Sequence, residues 1–381
     1  MEHYLDNAAT SHPKPPEVVA AVIKAMTLDN ANPGRSGHRR AIRAAETVFH
    51  AREQTAALMR AADSSRIAFC LNCTDALNLA IKGSLARGDH IICSALEHNS
   101  VLRIIHALEE SGEIELTIIS PESDGCVDPV RFSQAIRRNT RLIELTHASN
   151  VTGAIQPVRE VGQIARANGI RYLIDGSQTL GALPVNVNDV YCDLYAFPGH
   201  KSLLGPQGTG GLYLSEGTTL RPLRQGGTGS TSESLNQPDE LPDRYESGTL
   251  NLPGLAGLGA GCKYVQEHLA EIRSREEALS QQIWEELAKI PGITLYSPQT
   301  PRARVGIVSF NIRDLSSGTA ADWFSSEDIC LRGGLHCAPL AHDAQGTLKR
   351  GCVRASIGYA NTAEDVEALI RCAYLISKKA E

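Results

Sequence analysis

From residue 66 to 214 short apolar runs alternate with helix-like stretches, and this alternation constrains the fold more than any other feature of the chain. The runs are RIAFCL, HIICSA, IELTIIS, RLIELTHAS, RYLIDGS, DLYAFP and GGLYLS. Such a pattern implies crossover connections and a mainly parallel sheet with helices on both faces. The last two runs are joined by a Gly-rich loop too short for a helical crossover, so GGLYLS is expected to lie antiparallel. The expectation is an α/β large domain built on a seven-stranded, mostly parallel sheet.

Beyond this region, residues 217–253 are rich in Gly, Ser, Thr and Pro and show no sustained period. They read as a long irregular loop, which is uncommon unless functional. A helical pattern follows over 255–289, then the strand-like runs ITLYS and VGIVSFNI. A final helix opens at Asn361 or Thr362, with Glu364 and Asp365 in its first turn. This α+β pattern suits a small C-terminal domain. With 381 residues the chain exceeds the size at which a single core usually splits. We place the large domain at 16–255 and the small one at 1–15 plus 256–381.

A formal net charge of −6 argues against a general nucleic-acid binder, which needs a basic surface to displace counterions from phosphate. The best basic cluster, His38 to Arg43, opens a helical run and reads as a solvated face. The start MEHYLDNAAT lacks the basic and apolar stretches of a signal peptide, and no segment has the apolar length of a membrane span. A cytoplasmic protein with reduced cysteines is expected. The CxxC at Cys70 and Cys73 has no second pair at zinc-finger spacing, so these read as structural cysteines and no metal site is expected.

In open α/β sheets ligands sit at the carboxyl ends of strands, and the residues there form a coherent set. The first run is followed by Cys73 and Thr74 at a helix start, where free N–H groups and a hydroxyl can hold phosphate. His98 follows the second run, Asn150 the fourth, and Asp175 with Gln178 the fifth. His200 and Lys201 follow the sixth. Singly these have plain readings: Thr74 in an ordinary capping turn, Asp175 in a turn, Lys201 on the surface. Together they match the needs of a pyridine aldehyde phosphate. Such a group requires a lysine to hold it, an acid beside its ring nitrogen, a phosphate cradle and a flat group over the ring.

These residues lie within the motifs YLDNAAT, NPGRSGH, ALEHNS, SNVTGA, IDGSQTLG, FPGHKSLLGPQGTG, YESGTLN, RGGLHCAPL and VRASIGYANT. Carrying them nearly end to end, the sequence resembles the class V branch of fold type I pyridoxal-phosphate enzymes, and within it the cysteine desulfurases. The resemblance implies that Lys201 is the Schiff-base lysine, Asp175 the partner of the ring nitrogen and His98 the stacked imidazole. Gln178 and Asn150 would bond the ring oxygen or substrate. Cys73, Thr74 and His200 would line the phosphate end, with Thr249 reaching across from a second subunit, which implies a homodimer. Arg354, helped by Arg332, would bind the substrate carboxylate. Cys337 lies in the Gly-rich, Pro-bounded segment Gly333–Pro339, which reads as an exposed loop. Neighbouring His336 and Arg332 are expected to favour its thiolate. Two positions depart from the family pattern: Pro198 stands where many members have a phosphate-binding serine, and Gly34 where some have a histidine.

The activity implied is conversion of L-cysteine to L-alanine, with sulfur taken by Cys337 as a persulfide. Catalysis would rest on Lys201, Cys337 and His98. Only 16 residues separate Cys337 from Arg354. By resemblance this is the short-loop, type II form, which hands sulfur to an acceptor protein that approaches it. Selenocysteine lyase, or another class V reaction, is the alternative that uses much the same site. A non-catalytic sulfur-pathway scaffold would need the intact Lys201, Asp175 and Cys337 to be idle.

Overall fold

In the computed structural model residues 2–34 and 36–380 are described. Arg35, inside the NPGRSGH motif, lies outside them. The chain opens with a two-residue strand, β1 (His3–Tyr4), then helices α1 (Pro16–Thr27) and α2 (Arg39–Met59), the latter capped by the His38 side chain. The alternating region follows as β2 (Ile67–Cys70), α3 (Cys73–Ser84), β3 (Asp89–Ser94), α4 (Asn99–Glu110) and β4 (Ile114–Ile119). It continues through α5 (Pro129–Ala135), β5 (Thr140–Thr146), α6 (Val158–Ala167), β6 (Arg171–Asp175), β7 (Leu194–Pro198) and β8 (Gly210–Leu214). All seven predicted strands form.

They join one seven-stranded sheet in the order β2-β8-β7-β6-β5-β3-β4. The pairs from β7 to β4 are parallel, whereas β8 runs antiparallel to both β7 and β2, as its short connection requires. The mostly apolar character of the runs has a direct cause. Ile67 and Phe69 pack into one core while Ala68 and Cys70 pack into another on the opposite face, and the same division separates Ile174 from Leu173 and Phe197 from Ala196. Strands covered on both faces carry few polar side chains, the buried His90, Glu144 and Asp175 being exceptions, whereas edge strand β4 leaves Glu115 and Ile118 exposed.

After the irregular stretch, α7 (Leu252–Ala288) leads to β9 (Ile293–Leu295), β10 (Ile307–Ile312), α8 (Ser317–Ser326), β11 (Ile329–Cys330) and β12 (Arg332–Gly334). The last elements are α9 (Pro339–Ala344), β13 (Cys352–Ser356) and α10 (Ala363–Lys379). Thr362 caps α10 through a capping box with Asp365, resolving the choice between Asn361 and Thr362. A four-stranded sheet, β12-β13-β10-β9, packs its own core of Phe310, Phe324 and Leu369, and β1 pairs with β11. Its register sets Arg332 directly opposite Arg354. No helix among the described residues is long and apolar enough to cross a membrane.

Candidate active site

The carboxyl ends of the parallel strands open onto a cavity of about 220 Å³. The large sheet contributes Cys73, Thr74, His98, Asn150, Asp175, Gln178, His200 and Lys201 to its lining, and the small sheet contributes Arg332 and Arg354. Residues predicted from separate strand ends are thus brought together. Thr249 is exposed and lies outside this cavity, and so does Cys337. Asp6, Ser100 and Ser177, to which the sequence assigned no role, hold the other groups in place.

At the floor Asp175 ends β6 and is buried. Its Oδ1 accepts the Ser177 backbone N–H at 2.9 Å and lies 3.6 Å from the Cys73 thiol, which in turn receives the Ser177 hydroxyl at 3.1 Å. No described side chain or backbone group donates to Asp175 Oδ2. Lys201 follows β7. Burial lowers the pKa of its amine below the ordinary lysine range, against the opposing pull of Asp175.

The phosphate-sized end is built on the start of α3. Asn72 caps the helix by accepting Asp75 N–H at 2.9 Å, which leaves the Cys73 and Thr74 N–H groups without protein acceptors. The Thr74 hydroxyl pairs with Ser100 at 2.7 Å, joining the starts of α3 and α4. His200 pairs through Nδ1 with Thr10 at 3.1 Å. Pro198 lines the same end and brings no donor, whereas Gly34 lies on an exposed turn away from the cavity.

His98 caps α4, its Nδ1 accepting the Ser100 N–H at 3.0 Å. Burial, reinforced by the Lys201 charge, pushes its pKa down to about 4. The ring is therefore neutral near pH 7, and because Nδ1 accepts, its hydrogen sits on Nε2.

Across the cavity Arg354 is almost fully buried. It donates from Nη1 to the Asn150 carbonyl at 2.9 Å and from Nη2 to Asp6 at 2.9 Å, while its Nε has no partner. The Asn150 amide donates to the His336 carbonyl at 2.6 Å. Cys337 stands just outside, lining an adjoining groove of about 580 Å³ that shares Thr74, His98 and Ser100 with the cavity. Arg332 Nη2 lies 3.7 Å from its sulfur, and the Cys337 carbonyl accepts the Asn99 N–H at 2.7 Å.

Two expectations about this segment need correction. It is not a free loop: Arg332–Gly334 pairs with β13, and His336 is buried. Nor does His336 supply positive charge, because burial, aided by Arg354, pushes its pKa down to about 2 and leaves the ring neutral. Arg332 is the cation beside the sulfur.

The family model of the class V aminotransferases matches residues 3–369. The chain belongs to the class V aminotransferase family. Among class V relatives, a probable cysteine desulfurase of Methanothermobacter thermautotrophicus is 35% identical over 379 residues, spanning 96% of this chain and 92% of the relative. A second, from Halalkalibacterium halodurans, is 32% identical and spans 97% and 91%. The apo structure of the Thermococcus onnurineus cysteine desulfurase superposes with a TM-score of 0.93 at 31% identity, covering 99% of this chain and 95% of that one. The Escherichia coli cysteine desulfurase CsdA, in an S-sulfonic acid form, gives 0.88 at 27% identity, covering 100% and 95%.

Class V aminotransferases depend on pyridoxal 5′-phosphate, and the residues present here fit that group. The open Asp175 Oδ2 suits a protonated ring nitrogen and the unpaired N–H groups of α3 suit a phosphate. The orphaned Arg354 Nε suits a carboxylate on the substrate side.

Proposed function

We propose that this chain is a pyridoxal-phosphate-dependent cysteine desulfurase that converts L-cysteine to L-alanine and takes the sulfur onto Cys337. The observation that carries the reading is the Cys337 thiol, 3.7 Å from the Arg332 guanidinium and beside the cavity that holds Lys201 and Asp175. Its near full-length likeness to proteins named cysteine desulfurase supports the same conclusion.

Lys201 would hold the cofactor, with Asp175 at the ring nitrogen, His98 over the ring, Gln178 and Asn150 toward its oxygen, and Thr74, Cys73 and His200 at the phosphate. When bound, pyridoxal phosphate supplies an electron sink that acidifies the substrate α-proton and loosens the bond to sulfur. Arg354 and Arg332 receive the substrate carboxylate, which gives the free Arg354 Nε an acceptor. The Lys201 amine, its pKa lowered by burial, takes the α-proton at Nζ and later returns a proton to carbon. His98 carries its hydrogen on Nε2 as the second proton carrier. Cys337 sulfur bonds to the substrate sulfur as the carbon–sulfur bond breaks. L-Cysteine plus enzyme thiol gives L-alanine plus enzyme persulfide, and atoms and electrons balance without an outside oxidant.

Cys337 is tethered through its own carbonyl and that of His336, so it delivers sulfur where it stands. The acceptor is a protein or thiol that comes to it. Val19, Ile23 and Met26 of α1 are exposed apolar residues, and with the exposed Thr249 they support a homodimer in which Thr249 serves the neighbouring cavity. The deciding experiment is product analysis. Brief exposure to L-cysteine should yield alanine in step with one added sulfur on the peptide containing Cys337, read by mass spectrometry. Pyruvate and free sulfide without modified Cys337 would rule the desulfurase out.

A further inference from the structure

Behind the Cys337 segment three buried side chains from three different places turn ligand atoms toward one point. His336 comes from the segment itself, His342 from α9 and Cys352 from β13. His336 Nδ1 lies 3.4 Å from His342 Nε2 and 3.9 Å from Cys352 Sγ, and the three atoms all fall within 4.8 Å of one another. Around an ion with nitrogen at about 2.0 Å and sulfur at about 2.3 Å, neighbouring ligand atoms stand roughly 3.4 to 3.7 Å apart. The two spacings from His336 Nδ1 are close to these, and a small rotation of His342 or Cys352 would close the third, which is no more than 4.8 Å.

The outer nitrogens point the same way. His336 Nε2 faces the Arg332 carbonyl at 3.2 Å; a carbonyl only accepts, so Nε2 bears the hydrogen and Nδ1 turns a lone pair inward. His342 Nδ1 lies 2.7 Å from the Thr347 hydroxyl, whose own hydrogen can go to the His342 carbonyl at 3.3 Å. That arrangement leaves His342 Nε2 with a second inward lone pair. Outer oxygen partners of this kind orient the histidines of metal sites. The competing arrangement places a hydrogen between the two rings, donated by His342 to His336, with Thr347 donating to His342.

Charge and ligand number select the ion. The cluster is buried close to Arg332 and Arg354, so an ion that leaves no net charge is favoured over one that leaves a positive charge. With one thiolate, Cu(I) leaves none and Zn(II) leaves one unit. No fourth His, Cys, Asp or Glu joins the group among the described residues. Three soft or borderline ligands complete a trigonal Cu(I), whereas Zn(II) takes four.

We infer that His336, His342 and Cys352 form a closed site for a soft monovalent ion, Cu(I), one residue behind Cys337. On binding, the Cys352 S–H bond breaks, its proton leaves to solvent and a sulfur–metal bond forms; the imidazoles give lone pairs and no electron changes hands. The ion would fasten the Cys337 segment to α9 and β13 together.

The test uses the full-length holoenzyme carrying Cys337→Ser, so that the part-exposed thiol next to the site does not compete. It is loaded with Cu(I) or, separately, Zn(II) under anaerobic conditions and desalted. About one Cu(I) per chain is expected to remain, with two nitrogens and one sulfur in its X-ray absorption spectrum and a raised thermal midpoint. All three readouts should vanish when Cys352→Ser is added, a change small enough to keep the fold; circular dichroism checks this, and His342→Gln provides a second arm. Retention of Zn(II) but not Cu(I) overturns the choice of ion. Retention of neither by a folded protein overturns the site and leaves a hydrogen-bonded histidine pair.

Discussion

Cys337 and Lys201 divide the proposed chemistry, so their variants should fail in different ways. Cys337→Ser replaces a soft, ionisable sulfur with a hydroxyl that cannot form a persulfide. It should keep the yellow cofactor band while alanine formation from cysteine falls more than ~100-fold; normal alanine formation would remove Cys337 from the reaction. Lys201→Ala should lose the band that borohydride reduces, and a reducible band on another lysine would overturn the assignment. That Lys201, Asp175 and Arg354 line one cavity was legible because each sits at a strand end or inside a dense motif. His336 was misread because Gly333, Gly334 and Pro339 around it look like loop, and nothing local reveals that it is buried. Its neighbours His342 and Cys352 meet it only through the fold of α9 and β13, a long-range fact that residue spacing does not carry.

Among the elements, the irregular stretch after β8 is tied to the body by a buried ion pair. Arg52 of α2 donates to Glu246 at 2.5 and 2.8 Å, and the same carboxylate accepts the Phe69 N–H of β2 at 2.6 Å. Glu246→Ala would strand a buried guanidinium and a strand N–H. A loss of about 3–5 kcal/mol in urea unfolding is expected, and a loss under 1 kcal/mol would show the pair to be dispensable. The seven strands of the large sheet were legible as spaced apolar runs, since residues buried on both faces are mostly apolar; His90, Glu144 and Asp175 are buried exceptions. The short strands β1, β11 and β12 were not. Two or three residues carry no period, and the glycines of Arg332–Gly334 favour turns in any local reading.

At the scale of the whole molecule, α7 carries Glu276 into a small cavity between the two sheets' territories, beside Ser11, Gln178 and Tyr359. Glu276 has no ion-pair partner among the described residues, and burial raises its pKa from 4.5 to about 8. The folded chain thus keeps a proton that the unfolded chain gives up. Its contribution is full below about pH 4.5 and declines toward about pH 8, by about 1.4 kcal/mol per pH unit. Glu97, raised to about 8 chiefly by burial, adds in the same direction. Glu276→Gln should flatten the fall in urea midpoint between pH 5.5 and 7.5; an unchanged slope would place Glu276 in contact with water. Sedimentation should find a dimer, and Ile23→Asp combined with Met26→Asp should yield monomers with little turnover, since Thr249 would then have no neighbouring cavity to complete. The register of β12 on β13 faces Arg332 with Arg354. Like charges on opposed strand positions repel; Asp6 offsets Arg354 at 2.9 Å, and an incoming α-carboxylate would be the second counter-ion at the edge that bears Cys337. On the proposed function, substrate would in this sense be a structural part of the protein, fitted at the moment of use: any small α-carboxylate, reactive or not, should slow amide exchange along Arg332–Gly334.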